Sequence, residues 1–162
     1  MSHNPRFILA AGLAACALAL APVENPAYAQ APKPIQVQDT SIDGVSAELL
    51  EAVRKEGVLT IKVRFRNGGA NPAKVSFTND FRDVDQYYVV AGSTKFLILK
   101  DAQKIPLMNA LNNYGGLATE VKPGGSFLLW AKYPAPPAEA KKVNFYTPHT
   151  PPFEDVPITE AK

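Results

Sequence analysis

His149 is the residue on which most hydrolytic chemistry in this chain would depend. The sequence has two histidines, and His3 lies in the N-terminal segment, so His149 is the only one in the remainder. It lies between Pro148 and Pro151, where the prolines favour an exposed, extended loop. There is no G-x-S-x-G motif, and the single cysteine, Cys16, is also near the N-terminus. A Ser-His, Cys-His or ordinary zinc site would lack its partners, so we expect no catalytic residue, no metal ligand and no cofactor.

Asp80, Asp83 and Asp85 form an acidic cluster in the polar stretch Asn79–Gln86. Oxygen-rich loops at the ends of β-sandwiches are one way in which proteins bind calcium. The spacing differs from that of an EF-hand loop, and Arg82 lies inside the cluster. We expect a solvated turn in which Arg82 offsets part of the negative charge, with calcium binding as the alternative.

Lys62, Arg64 and Arg66 recur at every second position and would lie on one face of an extended strand. We call these three residues the basic stripe. It is the candidate partner-binding surface, since such a stripe would suit an anionic partner. The more usual interpretation is a solvent-exposed face whose cations pair with carboxylates across the sheet.

Aromatic side chains are the remaining candidates for a binding surface, because tyrosine and tryptophan anchor many interfaces. They are Tyr87, Tyr88, Tyr114, Trp130 and Tyr133. Neighbouring residues of a strand point to opposite faces, so one of Tyr87 and Tyr88 should be exposed. For the group as a whole, packing in the core or at an edge is the expectation.

The stretch Gly57–Gly69 supplies the strand around which a sheet is expected to form. Leu59, Ile61, Val63 and Phe65 alternate with polar residues without a break. A period of two is typical of a strand with one buried and one wet face. The basic stripe occupies the wet face, and we predict that this strand is central.

Val45–Arg54 is ambiguous between helix and strand. Its alanine, leucine and glutamate residues favour a helix. Its apolar spacing also fits a strand that forms a hairpin with the central one, and we prefer the strand. Pairing Arg54 with Val58 would turn Glu51 towards the core, whereas a register shifted by one residue would expose Leu49.

The rest of the chain predicts an all-β fold. Its 162 residues suffice for one domain, and a net charge of +2 gives no basic excess for binding nucleic acid. About nine or ten short apolar runs are separated by turn signals every eight to twelve residues or so, and strands do not alternate with helices. We predict an immunoglobulin-like antiparallel β-sandwich preceded by a signal peptide.

Residues 1–29 have the pattern of a secretory signal peptide. Phe7–Ala21 is an uncharged apolar run, and Ala27-Tyr28-Ala29 is an A-x-A cleavage site. We expect cleavage between Ala29 and Gln30. The mature chain would then be periplasmic or secreted from a bacterium, with no transmembrane segment.

Cys16 suggests an alternative way in which the N-terminal segment could be processed. Leu13–Cys16 has the form of a lipobox, and cleavage before Cys16 would leave a lipid anchor. Cleavage at Ala29 is preferred, because the run before Cys16 is very short and the residues after it are apolar. Residues 30–34 would then be a linker, and residues 35–162 a sandwich without cysteine.

Three segments carry a resemblance to a known group of proteins. They are a hairpin leading into Gly57–Asn67, a strand closed by Ala131–Pro137, and the stretch Pro151–Ile158. Together they resemble a group of secreted bacterial proteins with one immunoglobulin-like domain of unknown function. The resemblance covers roughly residues 35–159. It implies a fold and a compartment but no activity, and the paired cysteines of antibody domains are missing.

These expectations describe a non-enzymatic, periplasmic or secreted immunoglobulin-like module. It would act as a protein-interaction or accessory domain, and its partner would be an unknown protein of the bacterial envelope. A small-ligand or calcium-binding carrier that uses Asn79–Gln86 or Asn109–Gly116 is the alternative. A lipid-anchored accessory protein is a third hypothesis and depends on Cys16.

Overall fold

The computed structural model describes residues 32–161. The predicted signal peptide, its cleavage between Ala29 and Gln30, and Cys16 lie outside the described residues. Within them, eleven strands and one 3₁₀ helix, Asp83–Gln86, are formed. The strands are β1 (Gln36–Asp39), β2 (Val45–Lys55), β3 (Val58–Asn67), β4 (Ala73–Thr78), β5 (Tyr88–Ala91), β6 (Thr94–Leu97), β7 (Leu117–Val121), β8 (Ser126–Pro134), β9 (Lys142–Tyr146), β10 (Phe153–Pro157) and β11 (Thr159–Glu160).

The described strands form three sheets. The largest, the five-stranded sheet, has the order β1-β2-β3-β8, and β11 pairs with β2 in parallel. The four-stranded sheet has the order β10-β9-β5-β6, and β4 pairs with β7 in a separate ribbon. All pairs except β11 with β2 are antiparallel. The all-β prediction is therefore confirmed, and the architecture is β-sandwich-like.

Strand β3 is central in the five-stranded sheet, as its sequence predicts. Its alternate residues Leu59, Ile61, Val63 and Phe65 are each at most 2% exposed. It pairs along its length with β2 on one side and β8 on the other. Burying each of these side chains contributes about 1.5–3 kcal/mol before the loss of chain entropy is counted.

Strand β2 resolves the helix-or-strand ambiguity and contains a β-bulge. From Val45 to Leu49 it follows the first register considered above, in which Leu49 lies opposite Val63. The register then shifts by one residue, so that Glu51 lies opposite Lys62. The bulge keeps Leu49 buried and turns Glu51 outward, because one extra residue in one strand exchanges its two faces.

Aromatic side chains fill the space between the sheets. Phe65 and Phe77 meet edge to face with ring centroids 4.8 Å apart, and Phe77 also lies 4.9 Å from Phe127. Phe145 of β9 contacts Tyr133 of β8, at 6.2 Å between centroids. Such geometries are favoured by aromatic rings and add to the burial of apolar area.

One side of the sandwich is closed by glutamine side chains. The Nε2 groups of Gln36 and Gln38 in edge strand β1 donate to the carbonyl oxygens of Glu154 and Pro152, at 2.6 and 3.1 Å. The edge of the five-stranded sheet thereby joins the edge strand β10 of the other sheet. On the opposite side, a segment after β6 lies along β8, where Leu99 donates to Lys132 O at 2.8 Å.

No helix among the described residues is long and apolar enough to cross a membrane. The predicted linker at residues 30–34 is described only from Pro32 onward. Ile35, the first residue of the predicted domain, donates from its main chain to Leu49 O at 2.7 Å.

Candidate functional site

The basic stripe lies on the outer face of the five-stranded sheet, as predicted, but two of its three cations are paired. Lys62 Nζ is 2.9 Å from Glu51 Oε2, and Arg64 Nη2 is 2.5 Å from Glu48 Oε2. Arg66 is exposed, and no ion pair to it is formed among the described residues. The stripe is therefore largely a charge-balanced face and not a continuous positive surface.

The two ion pairs differ in burial. Glu48 is only 8% exposed, and Arg64 reaches its Oε2 with Nε as well, at 2.6 Å. The side chains of Lys62 and Glu51 are more than a third exposed. Water and salt screen the Lys62–Glu51 pair far more than the Arg64–Glu48 pair. The Lys62–Glu51 pair therefore contributes at most about 1 kcal/mol to stability.

Apolar side chains surround these pairs on the same face. Leu128 lies opposite Arg64 and Trp130 lies opposite Lys62 on β8, and directly opposite residues share a face. Leu128 is 43% exposed and Trp130 is half-buried. We call Lys62, Arg64, Leu128 and Trp130, with the paired glutamates, the outer-face patch. It combines paired charges with apolar area, which is the make-up of many protein interfaces.

The acidic loop forms a network of its own. Asp80 pairs with Arg82 at 3.1 Å and also accepts from the Arg82 main chain at 2.7 Å. The bond from the Arg82 side chain, and to a lesser extent the bond from its main chain, lower the pKa of Asp80 below its ordinary value. Asp83 accepts from the Asn79 main chain and from Gln86 Nε2. Loop donors thus engage the carboxylates of Asp80 and Asp83, and no metal-binding group of three side chains is formed in residues 32–161.

The two loops of the carrier hypothesis meet at one end of the molecule. Thr78 Oγ1 bonds to both Asp80 O and Gly115 O. Gly115 has a φ of +83°, and an added Cβ there would lie 2.3 Å from the Phe81 nitrogen, so only glycine fits this contact. Tyr114 projects beside it and is 81% exposed. The structure therefore brings the loops together and leaves an aromatic ring at their tip.

His149 is held as a structural link between loops. Its Nε2 is 2.6 Å from Ser76 O, and its Nδ1 is 3.5 Å from Ser41 Oγ. Ser41 also donates from its main chain to His149 O at 2.9 Å. With Nε2 bonded to a carbonyl oxygen, the ring is oriented by main chain and not by a carboxylate, which differs from the arrangement of a hydrolytic triad.

Tyr87 and Tyr88 point to opposite faces, as predicted, but Tyr88 is half-buried where an exposed ring was expected. Tyr87 is buried, and Tyr88 lies on the outer face of the four-stranded sheet. There it stacks on Tyr146 with 4.5 Å between ring centroids, and Lys95 Nζ lies 3.7 Å from its centroid. The sequence placed these rings on a strand, but the stack depends on the pairing of β5 with β9.

The buried hydroxyls of Tyr87 and Tyr133 have different surroundings. Tyr87 donates to the carbonyl oxygen of Phe77, whereas Tyr133 has no hydrogen-bond partner among the described residues. Burial raises the pKa of both phenols above the ordinary value near 10. An unpartnered buried hydroxyl opposes folding by about 1–3 kcal/mol.

We expect Tyr133→Phe to leave the free energy of unfolding unchanged at pH 8 or to raise it by up to about 1 kcal/mol. Tyr87→Phe should lower it by about 1–3 kcal/mol, because the Phe77 carbonyl loses its donor. Denaturant unfolding of the two matched variants tests this. Equal effects of the two changes would contradict the assignment.

The two phenols should also make the free energy of unfolding depend on pH. Because folding raises their pKa, the protein should keep its full stability below about pH 10 and lose stability as the pH rises further. Tyr133→Phe removes one of the two phenols and should make this loss smaller.

The outer edge of β6 is a feature that the sequence did not indicate. An open groove of about 540 Å³ is lined by residues 94–100, with Asp85 and Pro134 also at its border. The sequence predicts a strand over Lys95–Lys100, but β6 ends at Leu97 because Leu99 crosses to β8. An open edge is a property of sheet order, which a single strand's sequence does not contain.

Fold and surface together define a β-sandwich-like all-β protein whose outer faces carry the candidate binding residues. In comparisons with known proteins, no family model, no curated protein and no solved structure matches the chain. The class is therefore supported by the chain's own sheets and surface.

Proposed function

We propose that this protein is a non-enzymatic, immunoglobulin-like interaction module of the bacterial envelope, periplasmic or secreted after cleavage at Ala29. Its partner is an envelope protein that docks on the outer-face patch. The observation that carries the proposal is the placement of Leu128 and Trp130 directly beside the paired Arg64 and Lys62.

The strand order supports the immunoglobulin-like part of the proposal. The order β2-β3-β8 corresponds to strands A, B and E of that fold, and β10-β9-β5-β6 corresponds to G, F, C and C′. The ribbon of β4 and β7 and the short strands β1 and β11 are additions to this scheme.

The chemistry of the patch supports a protein partner over a polyanion. Neutralised cations give little long-range attraction for an anionic polymer, because each positive charge has a carboxylate beside it. Leu128 and Trp130 offer apolar area that a folded partner would remove from water, and tryptophan is among the residues that dominate binding energy.

Photo-crosslinking and pull-down from the native envelope test this proposal. We expect Leu128→Asp to reduce recovery of the partner about tenfold or more, since it puts a charge into the apolar part of the interface. Tyr114→Ala is the matched control, because Tyr114 is an exposed side chain outside the patch and should leave recovery unchanged. Recovery of the domain alone, or an equal loss in both variants, would contradict the proposal.

A calcium or small-ligand carrier is the second candidate, favoured by the contact between the Asp80 loop and Gly115. Calorimetry with calcium separates the two candidates. Heat of binding that disappears in Asp83→Asn would support the carrier, whereas the interaction module should give no heat.

A further inference from the structure

We propose that the outer edge of β6 is a second binding site, which takes up an extended peptide segment with an acidic side chain as an additional strand. This inference is independent of the outer-face patch. It starts from the main chain of β6, because an unpaired strand edge offers a row of donors and acceptors.

The hairpin of β5 and β6 determines which groups face the open side. Gly92 and Ser93 form a two-residue turn, with Gly92 at φ +59°, and Ala91 pairs with Thr94. The closing pair of such a hairpin is hydrogen-bonded, and bonded and non-bonded pairs then alternate. The N–H and C=O groups of Lys95 and Leu97 therefore point away from β5.

No other strand covers these groups in the described part of the chain, where β6 pairs only with β5. Other sheet edges bond to neighbouring segments. The side chains of Gln36 and Gln38 in β1 donate to Glu154 O and Pro152 O, and the segment that includes Leu99 and Leu107 bonds to the main chain of Lys132 in β8. No comparable bond to the outward main-chain groups of Lys95 and Leu97 is formed within residues 32–161.

The groove beside this edge suits an extended chain. Its 540 Å³ lie along residues 94–100, and Leu97 is 41% exposed there, so an added strand would find apolar side chains next to main-chain partners. Strand addition of this kind gives affinity through the main chain and specificity through alternate side chains.

The charge around the groove selects the occupant. Lys95 and Lys100 border it, and Asp85 is the only carboxylate among its lining residues. Lys100 Nζ lies 3.9 Å from Asp85, a long contact between half-exposed side chains. A glutamate or aspartate on the incoming strand would meet a net positive rim, whereas a lysine would be repelled.

The test titrates the protein with the acetylated, amidated peptide Thr-Val-Glu-Val-Thr-Val and follows the main-chain amide signals by NMR. We expect the Lys95 and Leu97 amide signals to shift on titration and to gain protection from hydrogen exchange. The same peptide N-methylated at its central residues should bind about tenfold more weakly or worse, because it cannot donate to β6. Replacing its glutamate with lysine should also weaken binding.

Leu97→Pro provides a test on the protein side. Proline removes the outward N–H and leaves the bonds to β5 in place, so we expect at least about a tenfold loss of peptide affinity with little change in Tm. Leu97→Val is the matched control: it keeps the main-chain N–H and changes only the side chain, so it should lose much less affinity than Leu97→Pro. Unmoved Lys95 and Leu97 amides, or equal binding of the N-methylated peptide, would overturn the proposal even if Leu97→Pro failed to fold. The same shifts produced by concentrating the protein alone would assign the edge to a second copy and overturn the peptide as its occupant.

Discussion

Asn67→Ala is expected to lower the free energy of unfolding by about 3 kcal/mol, with a range of about 2–4 kcal/mol. Asn67 ends β3 and is fully buried. Its Nδ2 donates to the carbonyl oxygens of Asn71 and Val121, each at 2.8 Å, and its Oδ1 accepts from Gly69 N at 2.9 Å. Alanine would leave these main-chain groups without their Asn67 partner, and the bond to the Val121 carbonyl oxygen is buried, where water cannot readily replace it.

The position of Asn67 explains why the effect should be global. Its main chain also bonds to the turn before β8, with Gly124 donating to Asn67 O at 2.8 Å. One residue thereby ties the central strand to the β4–β7 ribbon through Val121 and to β8 through Gly124. Because these elements are distant in sequence, losing the link should loosen the ribbon relative to the five-stranded sheet.

Asn71→Ala is the matched control for this prediction. It makes the same chemical change four residues away on an exposed side chain, and it keeps the main-chain carbonyl that Asn67 uses. We expect it to cost less than about 0.5 kcal/mol. Asn67→Asp should be at least as harmful as Asn67→Ala, since a carboxylate would face two carbonyl oxygens. Chemical denaturation of the three variants decides, and similar midpoints for Asn67→Ala and Asn71→Ala would show that the network does not hold the fold.

The sequence predicted the parts of the fold in which one strand carries its own information. The alternation of Leu59, Ile61, Val63 and Phe65 indicates both a strand and its buried face, because no other regular structure has a period of two. The opposite faces of Tyr87 and Tyr88 follow from the same rule. Each of these predictions is confirmed.

Features that depend on pairing between strands were not predictable in this way. Each uniform register of β2 against β3 had a fault, and the bulge removes both faults by combining the registers, since Leu49 stays inside and Glu51 meets Lys62. Asn67 belonged to a stretch rich in glycine and asparagine, typical of an exposed loop. Its burial depends on Val121, 54 residues later, to which its amide donates.

The candidate site also combines features that one strand's sequence predicts with features that depend on pairing between strands. The sequence placed Lys62, Arg64 and Arg66 on one outer face, and the structure agrees. The carboxylates of Glu48 and Glu51 that pair with two of them lie on the neighbouring strand β2. Glu48 lies opposite Arg64 before the bulge, and only Glu51 depends on the bulge to reach Lys62. Partner binding through this stripe stays a prediction, and the residues next to it on β8 now define where a partner would dock.

Arg64→Met is the second change with a large expected effect. It would leave the Glu48 carboxylate, in a residue 8% exposed, without its cation, and we expect a loss of about 2–4 kcal/mol at neutral pH. Lys62→Met is the matched control, because the pair of Lys62 with Glu51 is more than a third exposed and its loss should cost at most about 1 kcal/mol.

The double variant Arg64→Met with Glu48→Gln shows whether the loss of stability comes from an unpaired charge or from lost packing of the Arg64 side chain. Removing both charges should recover most of the stability, because the main cost of the single change is an unpaired buried charge. If Arg64→Met cost no more than Lys62→Met at any pH, Glu48 would not be holding Arg64, and the arginine would be available to a partner as the sequence first suggested.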